Sequence, residues 1–489
     1  MKLLFSVHLP LLPLQTLRPS WSEPGPYAVL EDGRVLVMSE EARADGVELG
    51  MRAGGVATIS PATKMLDRAP EREALAVDSV ATALLRFTPE VALERDFSLV
   101  LDVSASLRLF GGPFRLSHLV RESVEKLGFT AQVGAAPTAM AAWLFSRLTR
   151  QRHRVLRRRV VQSTTMERHL NRLPSELLPS TLAHFDWLHG IGARDLGALR
   201  RLPRAGLRRR TSEGLLRELD KAYGDATEMF EWIAVPPTFS ARVETFDRIE
   251  HAEALMHGAT SLIVQLVGWL TSLQLAVRVV VLHIEHERGR TAIAPTSLEL
   301  MLAEPTWKEE HLVRLLKERL ARTELIAPSI ALRLEAKQTE PMRAVNETLF
   351  PEPGGTKEDF NRLAELLVAR LGAESVLVPA PLDDYRPEVS NHWVPAVGAR
   401  SGAVTDMVMP GWPFWILPQP IPLILRDEHP FYGSPLKLIQ GPERLEAGWW
   451  DDQTAVRDYY VGQGNDGSCY WIYLERGPEA HWYLHGLYA

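Results

Sequence analysis

The sequence predicts an α+β chain of several domains, and three observations lead to this class. Its 489 residues correspond to about three or four domains of ordinary size. Hydrophobic residues make up 46% of the chain and charged residues 24%, which is the composition of a globular protein with apolar cores. Helix-like spacing and strand-like alternation follow one another along most of the chain, whereas the tail favours short strands and turns.

Cysteine content and apolar patterning indicate the compartment. The single cysteine, Cys469, excludes a disulfide within the chain and any zinc site built from several cysteines, which favours a reducing cytoplasm. The leucine-rich start is interrupted by His8, Pro10 and Pro13 and lacks a small-residue cleavage site, so we interpret it as a first strand rather than a secretory signal. Because no apolar run reaches about 20 residues, no membrane span is expected.

Positive charge is concentrated in the middle of the sequence. Residues 140–215 contain 16 Lys and Arg against 5 Asp and Glu, a net charge of +11 within a chain whose total is -6. A basic centre in an otherwise acidic chain indicates a polyanionic partner such as DNA.

Residues 96–112 predict a buried strand that ends in a glycine-rich turn, because apolar side chains recur at every second position from Leu99 to Val103. Through Leu101-Asp-Val-Ser104 the segment resembles the palm strand of the Y-family (translesion) DNA polymerases, whose pattern is Ser-x-Asp-Glu-Ala-Phe-Leu-Asp-Val-Thr. At the positions of the family's Asp-Glu pair, this sequence has Phe97 and Ser98. Neither side chain binds a metal as a carboxylate does.

The family's other metal ligands lie on the first strand, where its pattern is Asp-x-Asp-x-Phe-Phe-Ala-x-Val-Glu. Here the first acidic residue of any kind is Glu23. Two-metal phosphoryl transfer needs carboxylates from more than one strand within about 4 Å of each other. The resemblance therefore implies a polymerase-like fold without the catalytic site. The alternative is an active polymerase with a rearranged metal site that uses Asp96, Asp102 and a remote acid, although a one-residue slip turns a strand side chain to the opposite face.

Residues 39–51 resemble the fingers motif of the same family, Tyr-x-x-Arg-x-x-Gly-Val-x-x-Gly-Met. Arg43 and the Gly, Val and Met positions are kept, but the tyrosine position is Glu40. The resemblance implies that Tyr and Arg grip the incoming triphosphate in active members, and a carboxylate in place of the Tyr would repel it. The other interpretation of Arg43 is a surface ion pair.

A run of arginines follows the palm-like region and consists of Arg147, Arg150, Arg152, Arg154, Arg157, Arg158 and Arg159. Dense charge of this kind is often only a solvated surface. Because the run precedes a DNA-binding motif, we expect Arg152, Arg154, Arg157, Arg158 and Arg159 to contact DNA phosphates without reading the base sequence.

That motif is Leu188-His-Gly-Ile-Gly192, which has the form of a helix-hairpin-helix and resembles the thumb of the Y-family. Gly190 and Gly192 would let the turn approach a duplex closely. Free backbone amides near Ala193 and Arg194, at the start of the second helix, would then face a phosphate.

The remaining sequence predicts two further folding regions. Residues 240–340 follow the order strand, helix, strand, strand, helix, strand, which predicts a split βαβ layer similar to the little finger that Y-family polymerases place on the template duplex. Residues 351–489 hold 15 of the 34 prolines and 7 of the 13 tryptophans and predict short strands joined by turns. The aromatic residues of this tail either form a core or mark a protein interface.

These parts divide the chain into six predicted regions. They are a palm-like domain (1–25 and 76–165), a fingers-like insertion (26–75), a thumb-like domain with the helix-hairpin-helix (166–238), a little-finger-like domain (239–343), a linker (344–355) and a C-terminal partner-binding domain (356–489).

The linker contains Asn346-Glu-Thr-Leu-Phe-Pro-Glu-Pro353, which resembles the sliding-clamp-binding pentapeptide Gln-Leu-Ser/Asp-Leu-Phe. The candidate clamp contacts are Asn346, Thr348, Leu349 and Phe350. Asn346 is one methylene shorter than Gln, and Glu347 replaces an apolar residue. The two prolines favour the extended conformation that such a ligand needs.

The lack of carboxylates and the ending Trp482-Tyr-Leu-His-Gly-Leu-Tyr488 resemble one subgroup of Y-family-like proteins, the ImuB type of the bacterial SOS mutasome. The resemblance implies a non-catalytic adapter in error-prone translesion DNA synthesis, without metal or cofactor, that is cytoplasmic and nucleoid-associated. Its implied partners are DNA, the sliding clamp, a RecA-like accessory protein and a C-family error-prone DNA polymerase. A third possibility is a DNA-binding repair factor without clamp contact.

Overall fold

The computed structural model describes residues 2–148, 158–287, 293–342, 357–382, 384–397, 412–451, 453–477 and 480–488. The chain forms two compact units, residues 1–359 and residues 360–489.

The elements of the first unit, in chain order, are β1 (Leu4–His8), α1 (Leu12–Gln15), β2 (Tyr27–Glu31), β3 (Arg34–Met38), α2 (Glu40–Ala44), α3 (Ala53–Ile59), β4 (Lys64–Asp67), α4 (Pro70–Leu84), β5 (Val91–Glu94), β6 (Ser98–Asp102), α5 (Pro113–Lys126), β7 (Gln132–Ala136), α6 (Ala139–Ser146), α7 (Ser163–Leu170), α8 (Pro179–Leu182), α9 (Phe185–Gly190), α10 (Leu196–Arg201), α11 (Arg204–Arg210), α12 (Glu213–Tyr223), β8 (Ser240–Ile249), α13 (Met256–Ser272), β9 (Leu275–His286), β10 (Thr296–Thr306), α14 (Glu309–Ala321) and β11 (Ser329–Pro341). Short 3-10 helices lie at Ser175–Leu177 and Ala252–Leu255.

The elements that follow are α15 (Lys357–Leu371), which begins before the boundary between the units, a 3-10 helix at Ala373–Ser375, β12 (Leu377–Pro381), β13 (Asn391–Pro395), β14 (Trp415–Arg426), β15 (His429–Tyr432), β16 (Ser434–Pro435), β17 (Lys437–Ala447), β18 (Ala455–Gln463), β19 (Cys469–Glu475) and β20 (His481–Leu487).

A four-stranded antiparallel sheet with the order β5-β6-β1-β7 forms the palm-like domain. Alternate residues of β1 point to opposite faces of the sheet. Phe5 and Val7 pack into a core with α4 and α5, whereas Leu4 packs on the other face with Val100 and Ala139. The segment predicted from residues 96–112 is thus a central strand of this sheet, as its alternation indicated.

The fingers-like insertion is a small sheet with the order β3-β2-β4 and the helices α2 and α3. Helix α2 begins after Ser39 because the Ser39 hydroxyl accepts a hydrogen bond from the Ala42 amide at 3.2 Å. Ala42, Val47 and Val56 are buried between the helices and the sheet.

The little-finger-like domain has the predicted split βαβ arrangement. Its sheet has the order β8-β11-β9-β10, so β11 lies between β8 and β9, the two strands that α13 connects. The domain is docked on the helical side of the palm-like domain. Val264 of α13 is part of the palm core, and a Cβ atom at Gly268 would lie 2.1 Å from the Thr82 carbonyl oxygen of α4. Only glycine permits this approach of the two helices.

The segment Ala252–Ser272 is the one part of the described chain that is long and apolar enough to cross a membrane by length and composition. Two thirds of its apolar window is buried inside the protein, against α4, α14 and the little-finger sheet. Burial of this kind is typical of a core helix of a globular domain.

The second unit is rich in β-strands, as its composition indicated. Seven strands form an open antiparallel sheet with the order β16-β15-β14-β20-β19-β18-β17, and β12 pairs with β13. Aromatic side chains pack on the sheet, and Tyr459, Trp471 and Tyr473 are at most 4% exposed. Much of the aromatic density of this unit therefore forms its core.

Candidate functional site

The positions that correspond to the polymerase metal site lie where β1 and β6 run side by side. His8 is the register partner of Ser98, and the Ser98 hydroxyl lies 3.3 Å from His8 Nδ1. Ser6 and Ser98 are fully buried. Phe97 packs against the palm core and the Arg68 guanidinium, so the two predicted degenerate positions, Phe97 and Ser98, are in different surroundings.

Helix α6 closes this face of the palm sheet. A Cβ atom at Gly134 of β7 would lie 2.0 Å from the Ala142 carbonyl oxygen and 2.5 Å from the Ser146 amide nitrogen. The helix can lie this close to the strand only because residue 134 has no side chain. Trp143 of the same helix is 2% exposed. Helix α6 therefore packs directly on β7 and β1 at this face of the palm sheet.

An arginine at the end of α6 supplies a positive charge beside the His8–Ser98 pair. The Arg147 guanidinium stacks on the Trp143 ring at 3.9 Å and donates to the Asp96 carboxylate at 3.2 Å. Burial lowers the pKa of Arg147 below its ordinary value, while the Asp96 carboxylate opposes this shift. Asp96 is therefore an ion-pair partner in this structure.

The histidine of this face is neutral at physiological pH. Burial, and secondarily the Arg147 charge, lower the pKa of His8 to about 4. Within the described parts of the chain, no group of three or more His, Cys, Asp or Glu side chains is placed to hold a metal ion.

The geometry does not support the alternative site built from Asp96 and Asp102. Asp102 pairs in register with Leu4 and Ser98 with His8, so Asp102 and Ser98 stand at opposite ends of β6. Four residues of extended strand separate their Cα atoms by about 13 Å, and Asp96 lies beyond Ser98. The Asp102 carboxylate instead accepts hydrogen bonds from the amide and hydroxyl of Ser104, at 3.0 and 2.5 Å. Two carboxylates so far apart cannot share a pair of metals.

The amino-terminal end of α6 is also occupied. The Glu228 carboxylate accepts hydrogen bonds from the amides of Ala139 and Met140, at 2.7 and 2.8 Å. Burial raises the pKa of Glu228, and the two amides oppose that shift. Glu228 therefore takes up the amides that a helix start would otherwise offer to an anion.

The two predicted fingers residues lie on the exposed surface of α2. Glu40 is in its first turn and Arg43 is in its last turn. Arg43 forms no ion pair with any residue that the structure describes, so the surface ion pair offered as its alternative role is not observed.

The predicted helix-hairpin-helix is present as α9, the turn at 191–195 and α10, but its amides are not free. The Ala193 amide donates to the Leu188 carbonyl at 2.9 Å, and the Arg194 amide donates to the Gly192 carbonyl at 3.0 Å. The start of α10 is capped as well, since the Ala198 amide donates to the Asp195 carboxylate at 2.7 Å. The expectation of free amides at Ala193 and Arg194 is therefore wrong, because the turn and its cap satisfy them internally.

The neighbouring chain segment explains why no amide is left at this helix start. The amides of Leu196 and Gly197 donate to the carbonyls of Leu173 and Asn171, at 2.9 and 3.3 Å. Gly190 and Gly192 remain exposed, and Gly192 has φ +79°, a left-handed conformation that suits glycine. The hairpin can thus meet DNA only through side chains and exposed carbonyl groups.

Of the predicted arginine run, the structure describes Arg158 and Arg159 at its end, whereas Arg152, Arg154 and Arg157 lie outside the described residues. The Arg158 guanidinium donates to the Leu148 carbonyl at 2.7 Å through Nε. Arg159 donates to the Ser117 hydroxyl at 2.7 Å. Both residues extend the edge of the palm sheet beside Ala135, so Arg158 in particular has a structural role there.

Most of the thumb arginines lie in the basic centre at residues 140–215, and among them only Arg194 is a predicted DNA-binding residue. Seven of them are exposed and form no ion pair with another described residue, and these are Arg168, Arg172, Arg194, Arg201, Arg209, Arg210 and Arg217. Arg210 lies over the Trp187 ring of α9 at 5.9 Å. Arg172 and Arg194 flank the bridge between Pro174 and Asp195. Arg172, Arg194 and Arg210 thus form no ion pair with another described residue and lie in or next to the hairpin.

The outer side of the little-finger sheet carries a network of paired charges. The Arg242 guanidinium contacts Glu244 and Glu285, at 2.8 and 3.0 Å. Arg333 contacts Glu335 and Glu285, and Lys337 contacts Glu335. Because the carboxylates offset these cations, this network is a poor phosphate-binding surface. The unpaired arginines of the thumb-like domain make it the better candidate surface for DNA.

The candidate clamp-binding residues Asn346, Thr348, Leu349 and Phe350 lie outside the described residues. Their role stays a prediction from the sequence.

The sheets and helices define the class of protein: this is a mixed α/β protein with a separate β-rich C-terminal unit. Residues 13–147 match the model of the impB/mucB/samB family.

The particular relatives are consistent with that class. The chain is 24% identical over 471 residues to Protein ImuB of Caulobacter vibrioides, in strains NA1000 / CB15N and ATCC 19089 / CIP 103742 / CB 15, a match that covers 91% of this chain and 100% of each relative. Among solved structures, an insertion ternary complex of Dbh DNA polymerase is 16% identical, with a TM-score of 0.40, and DinB from Sulfolobus solfataricus is 15% identical, with a TM-score of 0.39. Each covers 68% of this chain and 98% of its own. The resemblance to ImuB-type proteins stated from the sequence is confirmed.

Proposed function

We propose that this protein is a non-catalytic, DNA-binding adapter in DNA-damage-induced mutagenesis, in which a polymerase-like core holds DNA while other surfaces bind partner proteins. The observation that supports the proposal is the pairing of His8 with Ser98 on the palm face beside the Arg147 charge, with no group of acidic side chains placed to hold a metal among the described residues. Similarity to Protein ImuB over 91% of the chain supports the same role.

The adapter acts in the cytoplasm, associated with the nucleoid, in error-prone translesion synthesis of the SOS response. Its partners are the sliding clamp, a RecA-like accessory protein and a C-family error-prone polymerase that performs the synthesis. Residues 346–350 bind the clamp and the β-rich second unit binds protein partners. The thumb-like domain binds DNA through the unpaired arginines around its hairpin, and Arg152, Arg154 and Arg157 add to this surface.

Purified protein is expected to incorporate no nucleotide in a primer-extension assay with Mg²⁺ or Mn²⁺. The physical reason is that the carboxylates nearest the palm face stand at opposite ends of β6, too far apart to hold two metals. An active Y-family polymerase on the same primer serves as the positive control. Incorporation that disappears in Asp102→Ala would contradict the adapter function and restore the rearranged-site alternative.

Replacing the three unpaired hairpin arginines, as Arg172→Ala, Arg194→Ala and Arg210→Ala together, is expected to weaken DNA binding and reduce its salt dependence. Each phosphate contact contributes about 0.9 to the slope of log K against log salt concentration, so the slope should fall by about 3. The measurement is fluorescence anisotropy of a labelled duplex at several salt concentrations.

The matched control has the same change in net charge but removes arginines that are already paired. Arg200 contacts Glu167 and Asp225, Arg204 contacts Asp220, and Arg208 contacts Glu213. The variant with Ala at these three positions should lower the slope by less than about 1. Equal slopes for the two triple variants would show that the hairpin does not direct DNA binding.

A further inference from the structure

A pair of tryptophans projects from the second unit at the turn between β17 and β18. Trp449 is 77% exposed and Trp450 is 50% exposed, and their rings meet edge to face with centroids 5.2 Å apart. Two adjacent exposed tryptophans are typical of a protein-binding anchor, because burial of each large aromatic ring contributes a large binding free energy. The pair therefore needs a cause other than packing within the chain.

The turn that carries the two rings is held rigidly. Arg386 is 3% exposed, and its guanidinium donates to the Asp451 carboxylate at 2.6 and 3.1 Å and to the Gln453 carbonyl at 3.1 Å. The same guanidinium donates to Asp384 and lies 5.6 Å from the Trp450 ring. One buried cation thus holds the second half of the turn.

The first residue of the turn, Gly448, has to be a glycine. Its φ of +79° is left-handed, and a Cβ atom there would lie 2.2 Å from the Gln453 carbonyl oxygen. A turn that is ordered before binding loses little conformational entropy when a partner covers it. The arrangement is therefore typical of a preformed contact surface.

The charges around the tryptophans define the partner's chemistry. Asp451 and Asp384 share one guanidinium, which leaves a net negative charge at the turn, and Glu446 is exposed near the end of β17, close to Arg444, whose charge Asp458 pairs. A negative rim disfavours nucleic acid and anionic lipid surfaces and favours a protein surface with Lys or Arg around an apolar pocket.

We propose that Trp449 and Trp450 form the anchor by which the second unit docks on a protein partner that has an apolar pocket with a basic rim. The inference rests on the proposed adapter function and specifies one contact surface for it. The two rings enter the pocket, and the acidic side chains around them meet the basic rim.

The test measures binding of the full-length chain to the purified RecA-like accessory protein and C-family polymerase of the same organism by isothermal titration calorimetry. The variant Trp449→Ala/Trp450→Ala should weaken binding to one of them by about 30-fold or more, as expected for central aromatic anchors. Trp393→Ala is the matched control, because Trp393 is 64% exposed in the same unit but lies on β13. This variant should bind the partner with wild-type affinity.

A second variant tests the rim without removing the anchor. Glu446→Lys retains both tryptophans and should lower the affinity for the same partner, most strongly at low salt. If the double tryptophan variant and Glu446→Lys both bind the partner with wild-type affinity, the inference is overturned but the adapter function is not. If the wild-type chain binds neither protein, the adapter function fails and the inference fails with it.

Discussion

Gly134→Ala is expected to destabilise the first unit by about 3 kcal/mol or more, because an added methyl group has no space between β7 and α6. The Cβ atom would lie 2.0 Å from one backbone atom of α6 and 2.5 Å from another. Neither the Ala142 carbonyl nor the Ser146 amide can move away as the end of a flexible side chain could. The helix as a whole must shift off the sheet.

The measurement is denaturant unfolding of the full chain followed by tryptophan fluorescence, to which the buried Trp143 contributes. Gly206→Ala is the control, since nothing lies within 4 Å of a Cβ atom at that position in α11. It should be neutral or stabilising by up to about 1 kcal/mol, because alanine favours a helix over glycine. Similar denaturant midpoints for Gly134→Ala and Gly206→Ala would show that α6 does not need its close contact with Gly134.

Glu309→Gln is expected to weaken docking of the little-finger-like domain on the palm-like domain. Glu309 of α14 is 7% exposed, and its carboxylate contacts Lys126 at 2.8 Å and the Arg86 guanidinium. Loss of its charge leaves two cations facing each other beside a neutral amide. We expect a cost of about 2 kcal/mol, less than for a fully buried pair because Lys126 and Arg86 are 38% and 26% exposed.

The same carboxylate predicts a pH dependence with a defined sign. Although burial alone would raise the pKa of Glu309, the hydrogen bond from Lys126 and the charge of Arg86 bring it below the ordinary value of 4.5. A carboxyl group with a lowered pKa in the folded state stabilises it fully above the unfolded-state pKa, and the contribution is lost as the pH falls through the folded-state value. The difference in unfolding free energy between wild type and Glu309→Gln should thus be constant near pH 7 and shrink below about pH 4.5.

Glu310→Gln is the control for this experiment. Glu310 is the adjacent residue of α14 and is exposed. Its substitution should change the unfolding free energy by less than about 0.5 kcal/mol at any of these pH values. If Glu309→Gln has the same denaturant midpoint as the wild type at pH 7, Glu309, Lys126 and Arg86 do not stabilise the docking of the two domains.

The order of elements could be predicted from the sequence because it depends on local periodicity. The alternation from Leu99 to Val103 gave a central strand, and the pattern over residues 240–340 gave the split βαβ layer. The docking of that layer on the palm-like domain could not be predicted. It depends on Gly268 meeting α4 and Glu309 meeting Lys126, contacts between residues far apart in the chain.

The candidate site was predicted only in part, for a related reason. Phe97 and Ser98 can be read directly from the sequence, but the Arg147 charge beside the His8–Ser98 pair cannot. A usable signal was present, since Trp143 and Arg147 are four residues apart at the end of one helix, the spacing that stacks a guanidinium on an aromatic ring. The amides of Ala193 and Arg194 were misjudged because the hairpin turn itself supplies their acceptors, the Leu188 and Gly192 carbonyls.

The Arg147–Trp143 stack has a consequence for any return to catalysis. A new carboxylate at position 8 or 98 would lie next to a guanidinium that is already there, and it would form an ion pair instead of recruiting Mg²⁺. Metal affinity at this face would therefore require acidic residues on two strands together with removal of the Arg147 charge.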